Sequence, residues 1–109
     1  MQPKIYPKAL FNLGYICGTP EALRAVAAEG ADVIEFLKRH VSGDWGILSQ
    51  NEKRENERAL AGGSPIVSAY ILPRSHVKLV LITEANRSQT TFLLPTELGW
   101  RRYSSVADS

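Results

Sequence analysis

The chain is poor in cysteine: among its 109 residues it has one, Cys17. A single thiol cannot form an intramolecular disulfide, and it excludes zinc and iron-sulfur sites built from several cysteines. A fold that needs no disulfide suits a reducing compartment. We therefore expect a cytoplasmic protein without a bound metal or cofactor.

Long apolar runs are also missing. The N-terminal sequence MQPKIYPKALFNLGYICG is interrupted by Asn12, Gly14 and Tyr15, and it is too short and broken for a signal peptide or a membrane span. We expect no membrane partner. No linker, repeat or low-complexity run divides the chain, which favours one domain over residues 1–109, with an ordered core from about 9 to 100 and a flexible C-terminal tail.

The chain has little excess charge of either sign. Thirteen Lys and Arg against 11 Asp and Glu give a net charge of +2, which permits a nucleic-acid partner without demanding one. It also lacks a phosphate-binding glycine loop, a Gly-x-Ser-x-Gly elbow, a His-Glu-x-x-His pair and a basic helix with groove-reading spacing. These absences disfavour nucleotide-dependent enzymes and methyltransferases.

Helix signals occupy the first half of the chain. Each begins with a polar residue that can cap the first backbone N–H groups, and a glycine follows each stretch. The apolar spacing places Leu23 and Ile34 on the buried faces of the first two helices. The pattern predicts helices from the Thr19 cap to Gly30, from the Asp32 cap to Gly43, and over residues 50–61 after the Ser49 cap.

Strand signals stand at the start of the chain and throughout its second half. Residues 9–17, ALFNLGYIC, predict a short strand, and after residue 65 the runs IVSAYIL, VKLVLIT and TTFLLP are separated by breaks short enough for hairpins. No helix separates these last runs, so a parallel sheet is not expected. The predicted fold is α+β, with an N-terminal strand and two to three helices packed on one face of a C-terminal three- to four-stranded antiparallel meander.

The segment HVSGDWG, residues 40–46, contains the first candidate site. A histidine at a helix end, oriented by Asp44 four residues later, can act as a general base or acid. Alternatively, His40 stabilises the helix end through its charge and Asp44 begins a turn. Trp45 is either a packed lid over the second helix or an exposed platform on which a base stacks.

The second candidate site is the polar segment TEANRSQTT, residues 83–91, at the turn between the last two strands. It is either an ordinary solvated hairpin or part of a site with His40. Cleavage of RNA at its 2′-hydroxyl needs a base, an acid and a cation, and no metal. The candidate catalytic residues are His40, Glu84 and Arg87, and the candidate binding residues are Asp44, Trp45, Asn56, Thr90 and Thr91.

Three stretches, RHVSGDWG, NERAL and ITEANRSQTTFLLP, resemble a family of short, uncharacterised bacterial proteins described as plasmid-related and sometimes labelled type I restriction subunit M. The resemblance covers about residues 13–95 and implies a mobile-element context, but no activity. The positions that match the family pattern are His40, Gly43, Asp44, Trp45, Gly46, Asn56, Thr83, Glu84, Arg87, Thr90 and Thr91.

The layout of helices followed by a meander ending in RSQTTF is similar to that of the barnase, EndoU, colicin and RelE group of metal-independent ribonucleases. Ribonucleases of the barnase kind place their catalytic histidine late in the sheet. The late histidine here, His76, lies in a predicted hairpin loop, so His40 would have to act from the end of a helix.

Two functions are therefore expected from the sequence. One is a small mobile-element protein that acts on RNA or DNA, as a metal-independent ribonuclease-like or nucleic-acid-binding domain. The other is a non-catalytic inhibitor or adaptor that binds a host defence or replication protein. The first requires His40, Glu84 and Arg87 to reach one phosphate, and the second requires a contiguous exposed patch.

Overall fold

The computed structural model describes residues 9–97, so the expected flexible tail after residue 100 lies outside the described residues. Within this range no helix has the length and apolarity that crossing a membrane requires. The elements, in chain order, are β1 (Tyr15–Gly18), α1 (Pro20–Glu29), α2 (Val33–Val41), α3 (Gln50–Gly62), β2 (Ile66–Ile71), β3 (Lys78–Thr83) and β4 (Gln89–Leu93).

The strands form one four-stranded sheet in the order β1-β4-β3-β2. The last three strands are the antiparallel meander that the sequence predicts, and the α+β class is confirmed. The sheet as a whole is mixed, because β1 lies parallel to β4. A parallel pair needs a long connection between its strands, and here three helices and two strands supply it.

The N-terminal strand is shorter than predicted. It begins at Tyr15, and residues 9–14 are not part of it. Gly14 has a φ of 68°, and a Cβ at this position would lie 2.3 Å from the backbone of Ser88. The chain therefore turns into the sheet at Gly14, and the apolar residues before it belong to a different segment.

The predicted helix caps are largely confirmed. Thr19 accepts a hydrogen bond from the Ala22 N–H, and Ser49 and Glu52 form the reciprocal capping box at the start of α3. The second helix ends at Val41 rather than at the predicted Gly43. The difference of two residues falls within the usual uncertainty of helix ends.

The core lies on both faces of the sheet, which corrects the prediction of helices on one face. Alternate residues of a strand point to opposite faces. One face packs against α1 and α2, and α3 contributes Ala59 to the cluster on the other face. The first cluster joins Ala22, Val26, Phe36 and Leu37 to Tyr70, Leu72, Leu79, Leu81 and Phe92. The second joins Trp45, Leu48 and Ala59 to strand residues that include Ala69, Val80, Ile82 and Leu93.

Two helix residues expected in the core are at the surface. Leu23 is 43% exposed on α1 and Ile34 is 46% exposed on α2. The helices turn other residues inward, namely Ala22 and Val26 on α1 and Phe36 on α2.

Candidate functional site

His40 lies in the last turn of α2 and is completely buried. Its Nδ1 atom is 2.6 Å from the Ser68 hydroxyl on β2, and its Nε2 atom is 2.8 Å from the Thr83 hydroxyl on β3. The Phe11 ring packs edge-on against the imidazole, with 5.2 Å between the ring centres. Polar and aromatic groups of the fold thus surround the ring.

The hydrogen bonds around His40 form a chain with one direction. Thr90 donates its hydroxyl proton to the Leu13 carbonyl at 2.8 Å, so the 2.6 Å bond between Thr83 and Thr90 must be donated by Thr83. The Thr83 oxygen then accepts from the Nε2–H of His40. A neutral imidazole carries one proton, which leaves Nδ1 to accept from Ser68. The geometry therefore assigns the Nε2–H tautomer to His40.

This network keeps His40 neutral. Burial lowers the pKa of His40 to about 3, because a charged imidazolium would lose its hydration. Both ring nitrogens are already hydrogen-bonded within the protein, and no part of the residue reaches solvent. In this arrangement His40 offers no ring nitrogen to a substrate.

Asp44 does not orient His40. Its carboxylate accepts from the Arg39 Nε atom at 2.7 Å, and this hydrogen bond lowers the pKa of Asp44. The Arg39 guanidinium also lies over the Tyr70 ring, 4.4 Å from its centre. Asp44 therefore belongs to a surface ion pair beside α2.

Trp45 is a packed residue and not an exposed platform. It is 4% exposed, and its indole N–H donates to the His40 carbonyl at 3.2 Å. The side chain closes the end of α2, where the His40 carbonyl also accepts from the Gly43 N–H at 3.3 Å. Of the two interpretations of Trp45, the geometry supports the packed lid.

The residues after Trp45 add a short strand-like bridge to the outer edge of β2. The Ala69 N–H donates to the Trp45 carbonyl at 3.2 Å, and the Ile47 N–H donates to the Ala69 carbonyl at 2.8 Å. Gly46, between them, has a φ of 75°, and a Cβ there would lie 1.9 Å from the Ala69 carbonyl oxygen. A glycine is required at this position because the two backbones are in direct contact.

Asn56 covers the same edge of the sheet one step further along. Its amide group donates to the Val67 carbonyl at 2.7 Å, while its oxygen accepts from the Val67 N–H at 3.1 Å. The side chain is buried and takes the place of a neighbouring strand. Asn56 thus joins α3 to β2.

Arg87 holds the C-terminal end of α3. Its guanidinium donates to four carbonyls: to Ser64 at 2.7 Å, Ala59 at 2.8 Å, Glu84 at 3.1 Å and Ala85 at 3.2 Å. Arg87 itself has a φ of 61°, which sets the tight turn between β3 and β4. Its cation is directed at backbone oxygens of the fold.

The three candidate catalytic residues do not form one group: Arg87 donates to the Glu84 carbonyl, whereas the His40 ring nitrogens lie against Ser68 and Thr83. The Phe11 ring contacts His40 on one side, and the Arg87 guanidinium lies 5.8 Å from its centre. Glu84 is half-buried in the β3-β4 turn, where its backbone N–H donates to Gln89 and its carbonyl accepts from Arg87. Both ring nitrogens of His40 are bonded to hydroxyls, and neither bonds to Glu84 or Arg87.

The two candidate threonines have different positions. Thr90 is fully buried in the network around His40. Thr91 points to the opposite face of the sheet, where its hydroxyl accepts from the Gln89 amide at 3.1 Å. Among the described residues, no three His, Cys, Asp or Glu side chains come together in a way that could hold a metal ion.

Ser68 and Phe11 complete the network and were not among the predicted site residues. Ser68 could have been found, because it is the one serine in the apolar run IVSAYIL, and a buried hydroxyl needs a partner. The position of Phe11 could not have been found, because the sequence predicts a strand over residues 9–17, whereas β1 begins only at Tyr15. No polar side-chain atom buried in the described part of the chain lacks a partner.

The two edges of the sheet differ sharply. The β2 edge is covered by residues 45–47 and by Asn56. At the β1 edge, the Tyr15 N–H donates to Ser88, just before β4, and the Thr19 N–H donates to Phe92 on β4. The backbone groups of Ile16 and Gly18 therefore point away from the sheet. No hydrogen bond joins these outward groups to the rest of residues 9–97.

The β1 edge also exposes large uncharged side chains. Tyr15 is 80% exposed and Ile16 is 44% exposed, and the free thiol of Cys17 is exposed between Ile16 and Gly18. We call Tyr15–Gly18 together with Leu23 the open edge.

The comparisons with family models, curated proteins and solved structures found no match to the chain.

Proposed function

We propose that this protein is a non-catalytic binding module, an inhibitor or adaptor that engages another protein chain by adding a strand to the open edge. The contrast between the two sheet edges carries the proposal. An edge strand with unpaired N–H and C=O groups is a template for another strand, and proteins usually cover or charge such edges. Among residues 9–97, Gly46 and Asn56 cover the β2 edge, whereas no described residue pairs with the apolar β1 edge.

The side chains of the open edge suit recognition of an extended segment. An added strand gains affinity from main-chain hydrogen bonds and specificity from contacts with alternate side chains. Tyr15 and Cys17 lie on one side of the strand and Ile16 on the other, so a partner meets different side chains on its two faces. Tyrosine is enriched at protein interfaces because it combines a large apolar area with a polar end.

The same geometry weighs against the ribonuclease function. A general base must approach the proton that it removes, whereas His40 is buried and neutral with both nitrogens occupied. The Arg87 guanidinium donates hydrogen bonds to four backbone carbonyls. A ribonuclease built on these residues would have to dismantle the core network before it could bind a phosphate.

The resemblance to plasmid-related proteins supplies a context for this binding. In that context the partner is a host defence or replication protein in the cytoplasm. A strand-addition partner presents an unpaired or extended segment of its own, and it requires no charge complementarity with the uncharged open edge.

The proposal is tested with a displayed library of random peptides selected against the pure protein. Selected peptides are then measured against Ile16→Pro, which removes an N–H that faces outward and leaves the bonds to β4 in place. We expect affinity to fall at least about tenfold, since one hydrogen bond is lost and the ring obstructs the partner. The matched control, Ile34→Lys, changes an isoleucine of similar exposure on α2, and it should bind as the wild type does.

A second experiment tests the nucleic-acid alternative directly. The protein is incubated, with a metal chelator present, with single-stranded and structured RNA and DNA, and salt-dependent binding is measured in parallel. Chelator-resistant cleavage that is lost in a folded His40→Gln variant would contradict the proposal. Equal peptide binding by wild type and Ile16→Pro would contradict it as well.

A further inference from the structure

We infer that in the free protein the open edge is occupied by a second copy of this chain, paired antiparallel through β1 about a two-fold axis at Cys17. This inference rests on the proposed function, which supplies the edge, and it names the chain that covers the edge when no other protein is bound there. The two-fold arrangement places the same surface of each copy against the other, as in most dimers of identical chains.

The backbone of β1 selects one register for this pairing. Ile16 and Gly18 are the residues whose backbone groups face outward. If Ile16 lies opposite Gly18 of the second copy, both residues of both copies are hydrogen-bonded. If Ile16 lies opposite itself, Gly18 meets Gly14, which has a φ of 68° and is not extended. If Gly18 lies opposite itself, Ile16 meets Pro20, which has no N–H.

The side chains fit the same register. Gly18 has no side chain, and the space above it is filled by Leu23, whose Cδ2 atom would be 2.7 Å from a Cβ on Gly18. Ile16 of each copy therefore lies against Leu23 of the other. These two residues are 44% and 43% exposed in the single chain, and the pairing covers both at once.

Charge and area determine how strong this dimer is. The strand Tyr15–Gly18 carries no charged residue, so the two paired strands themselves bring no like charges together. The exposed parts of the open edge offer on the order of 400 Å² per copy, since a large aromatic side chain buries about 150–250 Å² and an aliphatic one less. That is about half of what a stable complex buries per partner, so we expect a reversible dimer that forms at high protein concentration.

The register brings the two Cys17 residues face to face. Their backbone groups bond to β4, so they form a pair without mutual hydrogen bonds, in which the Cα atoms lie about 4.5 Å apart. This distance is within the range of about 4.4–6.8 Å that a disulfide spans. A disulfide can then form by oxidation of the two thiols with no movement of the backbone.

The experiment combines oxidation with sedimentation. The wild-type protein is treated with diamide, which takes up the two hydrogen atoms of the thiols, and the covalent dimer is followed on non-reducing gels. The control is the double variant Cys17→Ser with Ala28→Cys, which moves the thiol to an exposed position on α1. We expect the wild type to cross-link at least about tenfold faster, since pairing raises the effective thiol concentration. Sedimentation should show the average mass rising with concentration.

Ile16→Pro should abolish both the rapid cross-linking and the rise in mass, and Ile16→Lys serves if the proline variant does not fold. Equal cross-linking by the two cysteine positions, or a constant monomer mass, would overturn the inference. The proposed function is judged separately. If selected peptides still discriminate against Ile16→Pro while the protein stays monomeric, the edge binds another protein and only the second-copy inference fails. If Ile16→Pro changes neither peptide binding nor self-association, the proposed function and the second-copy inference both fail.

Discussion

At the scale of single residues, the side chains that look catalytic in the sequence hold the interior together. His40 connects α2 to β2 and β3, and Thr90 extends the same network to β4 and to the Leu13 carbonyl. A buried polar network of this kind is stabilising only while every member has its partner. The geometry gives His40 the role of joining three strands and a helix through buried hydrogen bonds.

Replacing His40 by alanine should strongly destabilise the protein. The change removes the hydrogen bonds from the imidazole to the buried hydroxyls of Ser68 and Thr83, and it opens a cavity in the core. We expect the free energy of unfolding to fall by about 3–5 kcal/mol, measured by urea denaturation. The control is His76→Asn, at an exposed position with a φ of 65° that asparagine tolerates, and it should change stability by less than about 0.5 kcal/mol. A fully stable His40→Ala would show that the network is dispensable.

Two glycines offer a matched pair of substitutions. Gly46→Ala places a Cβ 1.9 Å from the Ala69 carbonyl oxygen in a left-handed backbone, so we expect a loss of at least about 2 kcal/mol. Gly62→Ala, in the last turn of α3, meets no atom within 4 Å and should stabilise the helix by up to about 1 kcal/mol. Thermal unfolding of the two variants should shift in opposite directions. Equal shifts would contradict the contact between residues 46 and 69.

At the scale of elements, α3 is attached to the sheet mainly by polar contacts. Most of its surface is charged and exposed, and within the helix Asn56 and Ala59 are its buried residues. Asn56 binds the β2 backbone and Arg87 binds the Ala59 carbonyl, so two polar contacts hold the middle and the C-terminal half of the helix. The sequence predicts this helix as a surface element that touches the core through its last turn, and the contacts of Ala59 and Leu60 agree.

Asn56→Ala should therefore loosen the β2 edge. The Val67 N–H and carbonyl lose their partners, and we expect the free energy of unfolding to fall by about 2–3 kcal/mol. Hydrogen exchange at the Val67 amide should become faster by the corresponding factor. Asn51→Ala, an asparagine exposed on the same helix, is the control and should leave Val67 protected. Unchanged exchange at Val67 in Asn56→Ala would contradict the proposed cover of this edge.

At the scale of the whole molecule, stability should depend on pH through His40. Its pKa is about 3 in the folded chain against 6.5 for an unperturbed histidine, so the unfolded chain binds more protons between these values. Stability is then complete above pH 6.5 and falls as the pH drops. The surroundings of His40 are hydroxyls and the Phe11 ring, and none of these titrates in that range.

Urea denaturation at a series of pH values measures this effect. Between about pH 8 and pH 5 we expect a loss of about 2 kcal/mol, from the linkage between the two protonation states. Carboxylates contribute little above pH 5, so the loss reports His40. In His40→Gln, which keeps a donor and an acceptor without a titrating group, the dependence over this range should disappear. A wild-type curve that is flat from pH 8 to 5 would refute the burial of a neutral ring.

Local signals made most of the fold predictable from the sequence. Thr19, Ser49 and Gly30 act through neighbouring backbone groups, and the alternation in the last three strands fixes a meander. The position of β1 was not predictable, because its parallel pairing with β4 joins residues more than seventy positions apart. The sequence also names His40, Asn56, Thr83, Arg87 and Thr90, but polar residues of a core and of a site look alike until their burial is known.

The one-way order of the hydrogen bonds has a spectroscopic consequence. The His40 Nε2–H is a single hydrogen enclosed between a ring nitrogen and the Thr83 oxygen, out of contact with water. Such a hydrogen exchanges with solvent deuterium only when the core opens. In most histidines rapid exchange with water broadens the ring N–H resonance beyond detection, but the His40 Nε2–H resonance should be visible in the proton NMR spectrum. The rate at which this signal decays in heavy water would measure the rate at which the core opens.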